Sequence, residues 1–362
     1  DGGSLSAPAG AQSWIDAPDQ GPPSAEVHAL LVAPDDTLWA ATANGVARMR
    51  AFESTDTDWN RTAWTPIEST RGRSYRCLTA TPDGRIWAGL TTEDTRPVLE
   101  RFQPDGTPAP IDALLVEATS ATAGFERTIL SLAYDPTSGG LWIGTDGLLY
   151  RATPTGLSWS VAPYVLGGAS QGVEDIAIDP DGRAWFVNVS GLWTFLPGVD
   201  SGPRLVTQLG AGLVSVTAAI VQGKVLLVLG GRTNDEAWIY DLEQELASPL
   251  TRADDTASRP VRGLAVDAAG RVWTAGEQIL RYEPVDPEDP GNWTFDRMDP
   301  DGSPVGSDVF DLVTRGRDDT VWVAGSAGVA LSTSRWEVVE MDEVFGCDAC
   351  ASIERMSLGP DG

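Results

Sequence analysis

Chemistry that depends on histidine has one residue to draw on. His28 is the only histidine in the 362-residue chain, so a four-ligand zinc site or a Ser-His-Asp relay lacks most of its parts. Three cysteines are too few for a disulfide framework. Cys347 and Cys350 stand as CDAC, a spacing that suits a local disulfide, a redox pair or half a zinc site, while haem attachment would need His where Ala351 stands. No second CxxC exists, so a loop-pinning disulfide is the preferred reading in an oxidising compartment. Cys77 lies within an apolar run and reads as a small buried hydrophobe. The 52 acidic residues guarantee that some carboxylates meet in space, so their pairing alone says nothing about acid–base catalysis. No GxSxG elbow, phosphate-binding loop or HExxH occurs, and Gly167-Gly168 and Gly230-Gly231 read as turns.

One set of positions breaks an otherwise apolar pattern. Eight segments align as VHALLVAPDDTLW from Val27, YRCLTATPDGRIW from Tyr75, ILSLAYDPTSGGLW from Ile129, VEDIAIDPDGRAW from Val173, VTAAIVQGKVLL from Val216, VRGLAVDAAGRVW from Val261, VFDLVTRGRDDTVW from Val309 and IERMSLGPDG from Ile353. Their second residues are His28, Arg76, Leu130, Glu174, Thr217, Arg262, Phe310 and Glu354. Side chains of such different chemistry, repeated at one place, form a candidate ring that grips a polar ligand; the competing reading is a solvated rim with scattered ion pairs.

The elements that hold this ring follow from the repeat. The segment starts are spaced 48, 54, 44, 43, 45, 48 and 44 residues apart, mostly the span of a four-stranded propeller blade. An alternating apolar run forms the first strand, and a Pro-Asp-Gly type turn follows, with Asp making local Asx hydrogen bonds. The second strand carries Trp39, Trp87, Trp142, Trp185, Trp273 or Trp322, with Leu226 in the fifth copy. These rings read as packing between sheets. A Gly-containing turn leads to a third strand, and the fourth often opens with Trp, as at Trp64, Trp159, Trp293 and Trp336.

The expected fold is therefore an all-β β-propeller of four-stranded blades with seven complete repeats. Seven blades are favoured; the alternative is eight, with the partial last repeat shared by the termini. Residues 1–26 form an N-terminal segment with a closing strand, 27–341 the propeller repeats, and 342–362 a Cys-containing loop with the partial eighth repeat.

The net charge is −27, and Lys224 is the only lysine. That excess of carboxylate repels phosphate backbones and anionic lipid, so nucleic acid and membrane surfaces are not expected partners. The most apolar stretch, from Val214, is interrupted by Gln222, Gly223 and Lys224 and reads as two strands rather than a membrane span. A chain that begins at Asp1 without a signal-peptide pattern reads as a processed or trimmed product, expected outside the cytoplasm: periplasmic, cell-surface or secreted.

ILSLAYDPTSGGLWIGTDGLLYR and VEDIAIDPDGRAWFVNVSGLWTF, with the preceding loop DQGPPSAEV, resemble the two-component regulator propeller repeat. The resemblance spans residues 12 to 362. It implies a secreted or periplasmic propeller, sometimes the sensor portion of a histidine kinase. The units are more distantly similar to streptogramin lyase, which implies a catalytic His and metal-binding acidic residues that a chain with one His can hardly supply.

Three functions compete. The first is a non-enzymatic extracytoplasmic binding or assembly module for a protein or carbohydrate, with Trp59 in the polar loop 51–63 as a further contact candidate. The second is a structural subunit of a larger surface or membrane-associated complex, hence a heteromer. The third is a lyase or hydrolase using channel carboxylates. No cofactor is expected; calcium is the one ion the Asp-rich turns resemble, though no complete EF-hand loop occurs.

Overall fold

The computed structural model describes residues 23–24, 26–49, 64–91, 99–111, 128–156, 158–166, 172–209, 212–233, 236–250, 260–298, 309–315, 320–326, 328–332, 336–339 and 356–358. It is an all-β propeller. The first sheet contains β1 (Val27–Val32), β2 (Leu38–Thr42), β3 (Gly45–Met49) and β4 (Thr65–Pro66), and the second β5 (Ser74–Ala80), β6 (Ile86–Thr91) and β7 (Leu99–Phe102). The third holds β8 (Ile129–Asp135), β9 (Gly140–Thr145), β10 (Leu149–Thr155) and β11 (Ser158–Tyr164), and the fourth β12 (Asp175–Ile178), β13 (Ala184–Asn188), β14 (Gly191–Phe195) and β15 (Arg204–Thr207). The fifth holds β16 (Leu213–Val221), β17 (Lys224–Gly231), β18 (Ala237–Asp241) and β19 (Leu246–Pro249), and the sixth β20 (Gly263–Val266), β21 (Val272–Ala275), β22 (Ile279–Glu283) and β23 (Thr294–Arg297). β24 (Val309–Arg315), β25 (Thr320–Gly325) and β26 (Gly328–Ser332) form another three-stranded sheet, and β27 (Trp336–Val339) pairs with β28 (Met356–Leu358).

Among the described residues, five sheets thus have four strands, two have three and one has two. This differs from seven four-stranded repeats. β27, expected as the fourth strand after β26, is instead paired antiparallel with the strand that the partial eighth copy supplies, Trp336 opposite Leu358 and Val339 opposite Met356.

Every step within the larger sheets is an antiparallel neighbour pair, so each is a meander. First strands lie against first strands: β1 touches β5, β5 touches β8, and the contacts run on through β12, β16 and β20 to β24, which lies against β1. Short turns make this possible. Gly84, Gly182 and Gly270 close the first turn of their units at φ 78°, 80° and 80°, a region where a side chain on Cβ is strained.

The tryptophans fill the layers between sheets. Trp39 packs with Tyr75, Ile86 and Phe102 of the second sheet, Trp87 with Ile129 and Leu132 of the third, and Trp142 with Val173 and Phe186 of the fourth. Trp185 meets Val216 and Leu227, Trp273 meets Val309 and Val321, and Trp322 meets Val27, Leu30 and Trp64 of the first sheet. Leu226 takes the same place between the fifth and sixth sheets, against Leu264 and Tyr282. On the third strand an Arg stands opposite the Trp in several units, and Arg101, Arg151 and Arg281 lie 5.0, 5.5 and 5.8 Å from the ring centroids of Trp87, Trp142 and Trp273.

The turn aspartates do two jobs. Asp179 accepts N–H bonds from Asp181 and Arg183 through one oxygen and the Trp185 indole N–H at 2.9 Å through the other. Asp267 does the same for Ala269, Arg271 and Trp273. Among the described residues, the indole N–H groups of Trp39 and Trp87, whose turns begin with Ala33 and Thr81, have no hydrogen-bond partner, and nor does that of Trp142, whose turn begins with Asp135.

Gly230-Gly231 is not a turn, contrary to the sequence expectation; both residues lie inside β17. Gly230 faces Ser215, and a Cβ there would sit 2.1 Å from the Val261 carbonyl oxygen and 2.2 Å from Ser215 Oγ. Gly144 opposite Ser131 and Gly89 opposite Cys77 are squeezed in the same way. Gly230→Ala is expected to destabilise by about 3 kcal/mol, because backbone of the neighbouring sheet must move. Chemical denaturation reads this directly, and a loss near zero would mean that the sheets part without cost.

Candidate functional site

A β-bulge places the irregular column. Register breaks between Val27 and Ala29, Tyr75 and Cys77, Ile129 and Ser131, Leu213 and Ser215, and Val309 and Asp311. The residues at these bulges are His28, Arg76, Leu130, Val214 and Phe310. Glu174 and Arg262 hold the matching place just ahead of β12 and β20, their N–H groups donating to the carbonyls of Val187 and Ala275. A bulge re-aims its side chain, and here it does so in five of the seven units.

His28, Arg76, Leu130, Glu174, Val214 and Arg262 line one cavity of about 140 Å³ at the first strands. The column read from the sequence therefore gathers at one place, with one change of register. Thr217 is not among the lining residues; it lies further along β16, opposite Val228, and Val214 with Ser215 takes its position. β16 is nine residues long and its turn is the short Gln222-Gly223, so counting back from the turn misplaces the bulge. The Phe310 side chain, Glu354, Trp59, Cys347 and Cys350 lie outside the described residues.

In five of the units the residue after the irregular position ties one sheet to the next. Cys77 Sγ and the hydroxyls of Ser131 and Ser215 donate to the carbonyls of Ile129, Val173 and Val261, at 3.7, 2.9 and 2.6 Å. Asp175 accepts the Val216 N–H at 2.9 Å, and Asp311 accepts the Leu30 N–H at 2.8 Å. Each of these reaches backbone of the following sheet, and the last joins β24 to β1. All five side chains also line the cavity, so its floor is a girdle of inter-sheet bonds.

The cavity's ionisable groups are largely committed to that framework. His28 is buried, with Nδ1 2.7 Å from the Tyr75 carbonyl oxygen and Nε2 2.9 Å from Glu26 Oε1. Glu174 accepts from Arg232 and lies 4.0 Å from Arg262 Nη1. Burial, with Glu174 adding to it, pushes the Asp175 carboxyl up to about 7 against the opposing pull of the Val216 and Ile176 N–H groups and of Arg262. A carboxyl near neutrality would suit proton transfer, yet both its oxygens accept backbone N–H bonds, from Ile176 and Val216. Cys77 is a free, buried thiol, and burial pushes it well above the usual thiol range, so it is protonated and unreactive. Arg76 differs: it is exposed to the cavity and, among the described residues, has no hydrogen-bond or ion-pair partner. Among the described residues no three His, Cys, Asp or Glu side chains gather closely enough to hold a metal ion.

Two features escaped the sequence reading. The residue after the bulge carried a signal, since Cys77, Ser131 and Ser215 face Gly89, Gly144 and Gly230 across the hairpin. The Asp six residues before Trp185 and Trp273 also recurs.

No family model matches the sequence, and no curated protein matches it either. Solved structures do match in fold. The extracellular domain of a putative one-component system from B. thetaiotaomicron is 10% identical with a TM-score of 0.62, covering 93% of this chain and 42% of that one. The chain therefore spans less than half the length of that relative. Virginiamycin B lyase from Staphylococcus aureus, in a catalytically inactive form with quinupristin, is 14% identical with a TM-score of 0.61, covering 85% and 94%. A chain of the mitotic checkpoint complex is 12% identical with a TM-score of 0.63, covering 91% and 98%. The chain shares the β-propeller fold with all three. At these identities the likeness is one of fold alone, because propellers host enzymes and scaffolds alike.

Proposed function

We propose that this chain is a non-enzymatic binding module of the extracytoplasmic space that docks a protein or carbohydrate partner on its channel face. The carrying observation is the bulge column, which turns six side chains of mixed charge from six successive units into one cavity. Loops and re-aimed side chains on a rigid sheet scaffold are where binding function concentrates. The reading as a lyase or hydrolase using channel carboxylates draws less support, because Glu174 accepts from Arg232 and Asp175 and Asp311 accept backbone N–H groups.

A closed ring of seven blades is part of this reading. In its support, seven first strands touch in succession, and Trp322 and Asp311 join the last of them to the first sheet. The two-component regulator resemblance and an extracytoplasmic address draw support from a neighbour that is an extracellular domain. A protein partner draws it from a neighbour that belongs to a checkpoint assembly.

The test is capture of partners from a glycan array and from secreted and periplasmic protein pools, comparing wild type with Arg76→Glu. Loss of the captured partner in the variant, with unchanged melting, is the expected result. Partner capture that ignores Arg76→Glu, or turnover of a captured glycan, would overturn the reading.

A further inference from the structure

The cavity's acceptors and donors are unequally used. Glu174 accepts from Arg232, and Asp175 and Asp311 accept backbone N–H groups. Arg76 brings five N–H donors to the same cavity and has no acceptor among the described residues. What is unmet is therefore an acceptor, and a planar guanidinium is matched best by a carboxylate, which can take two parallel bonds. Leu78, Leu130 and Val214 supply apolar wall beside it. About 140 Å³ of space is small beside the roughly 300–1,000 Å³ of pockets for drug-sized ligands.

We propose that the channel cavity binds a small free carboxylic acid with a short apolar body, its carboxylate held by Arg76 and its chain laid against Leu130 and Val214. This rests on the reading of the channel face as a binding face, and it adds a small-molecule ligand beside the docked partner. The net charge of −27 does not forbid it. Exposed charges beyond about 8 Å are screened at physiological salt, so the donors inside the cavity decide which ion enters.

Titration calorimetry of the full chain with butyrate, butyramide and butylammonium at fixed ionic strength tests the proposal. Butyrate is expected to bind saturably, and butyramide and butylammonium at least tenfold more weakly. Arg76→Gln, at an exposed position, is expected to melt as the wild type does and to lose at least tenfold in butyrate affinity. Leu130→Phe, which fills the cavity without touching charge, is expected to lose butyrate as well. Absence of saturable butyrate binding, equal binding of butyramide, or unchanged affinity in either variant would overturn the proposal. The two readings fail separately. Partner capture that depends on Arg76 in a chain that ignores butyrate removes the acid and keeps the docking face. Butyrate binding at Arg76 with partner capture indifferent to Arg76→Glu does the reverse.

Discussion

Trp142→Ala is expected to destabilise the chain by about 4 kcal/mol, the range for truncating a fully buried large aromatic. Trp142 has no solvent exposure and stands between two sheets. Its ring lies 5.8 Å edge-on to Phe195 and 6.2 Å from Tyr164, with the Arg151 guanidinium 5.5 Å away. Truncation would empty the layer that joins the third and fourth sheets, and neither sheet can collapse into it without breaking its own ladder. A comparison of conservative variants separates packing from hydrogen bonding. Trp142 Nε1 has no partner among the described residues, whereas Trp185 Nε1 donates to Asp179. Trp142→Phe therefore removes an unsatisfied donor, while Trp185→Phe leaves a buried carboxylate oxygen without its bond. Trp185→Phe is expected to be the costlier by about 2 kcal/mol. Urea denaturation of the four proteins reads all of this, and equal costs for the two Phe variants would show that the indole–Asp bond contributes nothing.

Why the sequence discloses some of this and hides the rest is visible in single residues. Trp39 to Trp322 recur once per unit because each inter-sheet wedge needs one large ring, and Leu226 betrays the same wedge by standing in for it. The bulge column was legible because a residue turned toward a channel escapes the apolar rule that binds its neighbours, as His28, Arg76, Glu174 and Arg262 show. It failed at Thr217, where VSVTAAIV is apolar or small throughout and gives no register cue. The inter-sheet bonds of Asp175 and Asp311 were hidden because their partners are backbone N–H groups, which carry no sequence signature. Arg76 is the opposite case: the sequence placed it in the ring, but only the bonds around it distinguish it from Arg262 and Glu174.

One of those hidden carboxylates, Asp175, makes stability depend on pH. Its carboxyl titrates near 7 in the folded chain against 3.8 ordinarily. A raised folded value means that folding favours the protonated form. The stabilisation is complete below about pH 4, is lost as pH rises toward 7, and is absent above it. The gap corresponds to on the order of 4 kcal/mol. Asp175→Asn cannot ionise, and its carbonyl oxygen can still accept the Val216 N–H that links the fourth and fifth sheets. Repulsion among the remaining carboxylates acts on both proteins alike and cancels in their difference. Between pH 4 and 8 the stability difference is therefore expected to move steadily in favour of the variant, by an amount of that order. Glu174 and Arg262 are the charges that act on this carboxyl, and Glu174→Gln should lower its titration by removing the like charge beside it. Denaturation curves at half-unit pH steps measure the shift. Parallel profiles for wild type and Asp175→Asn would mean that the carboxylate is held ionised by its two N–H bonds, with burial the weaker force.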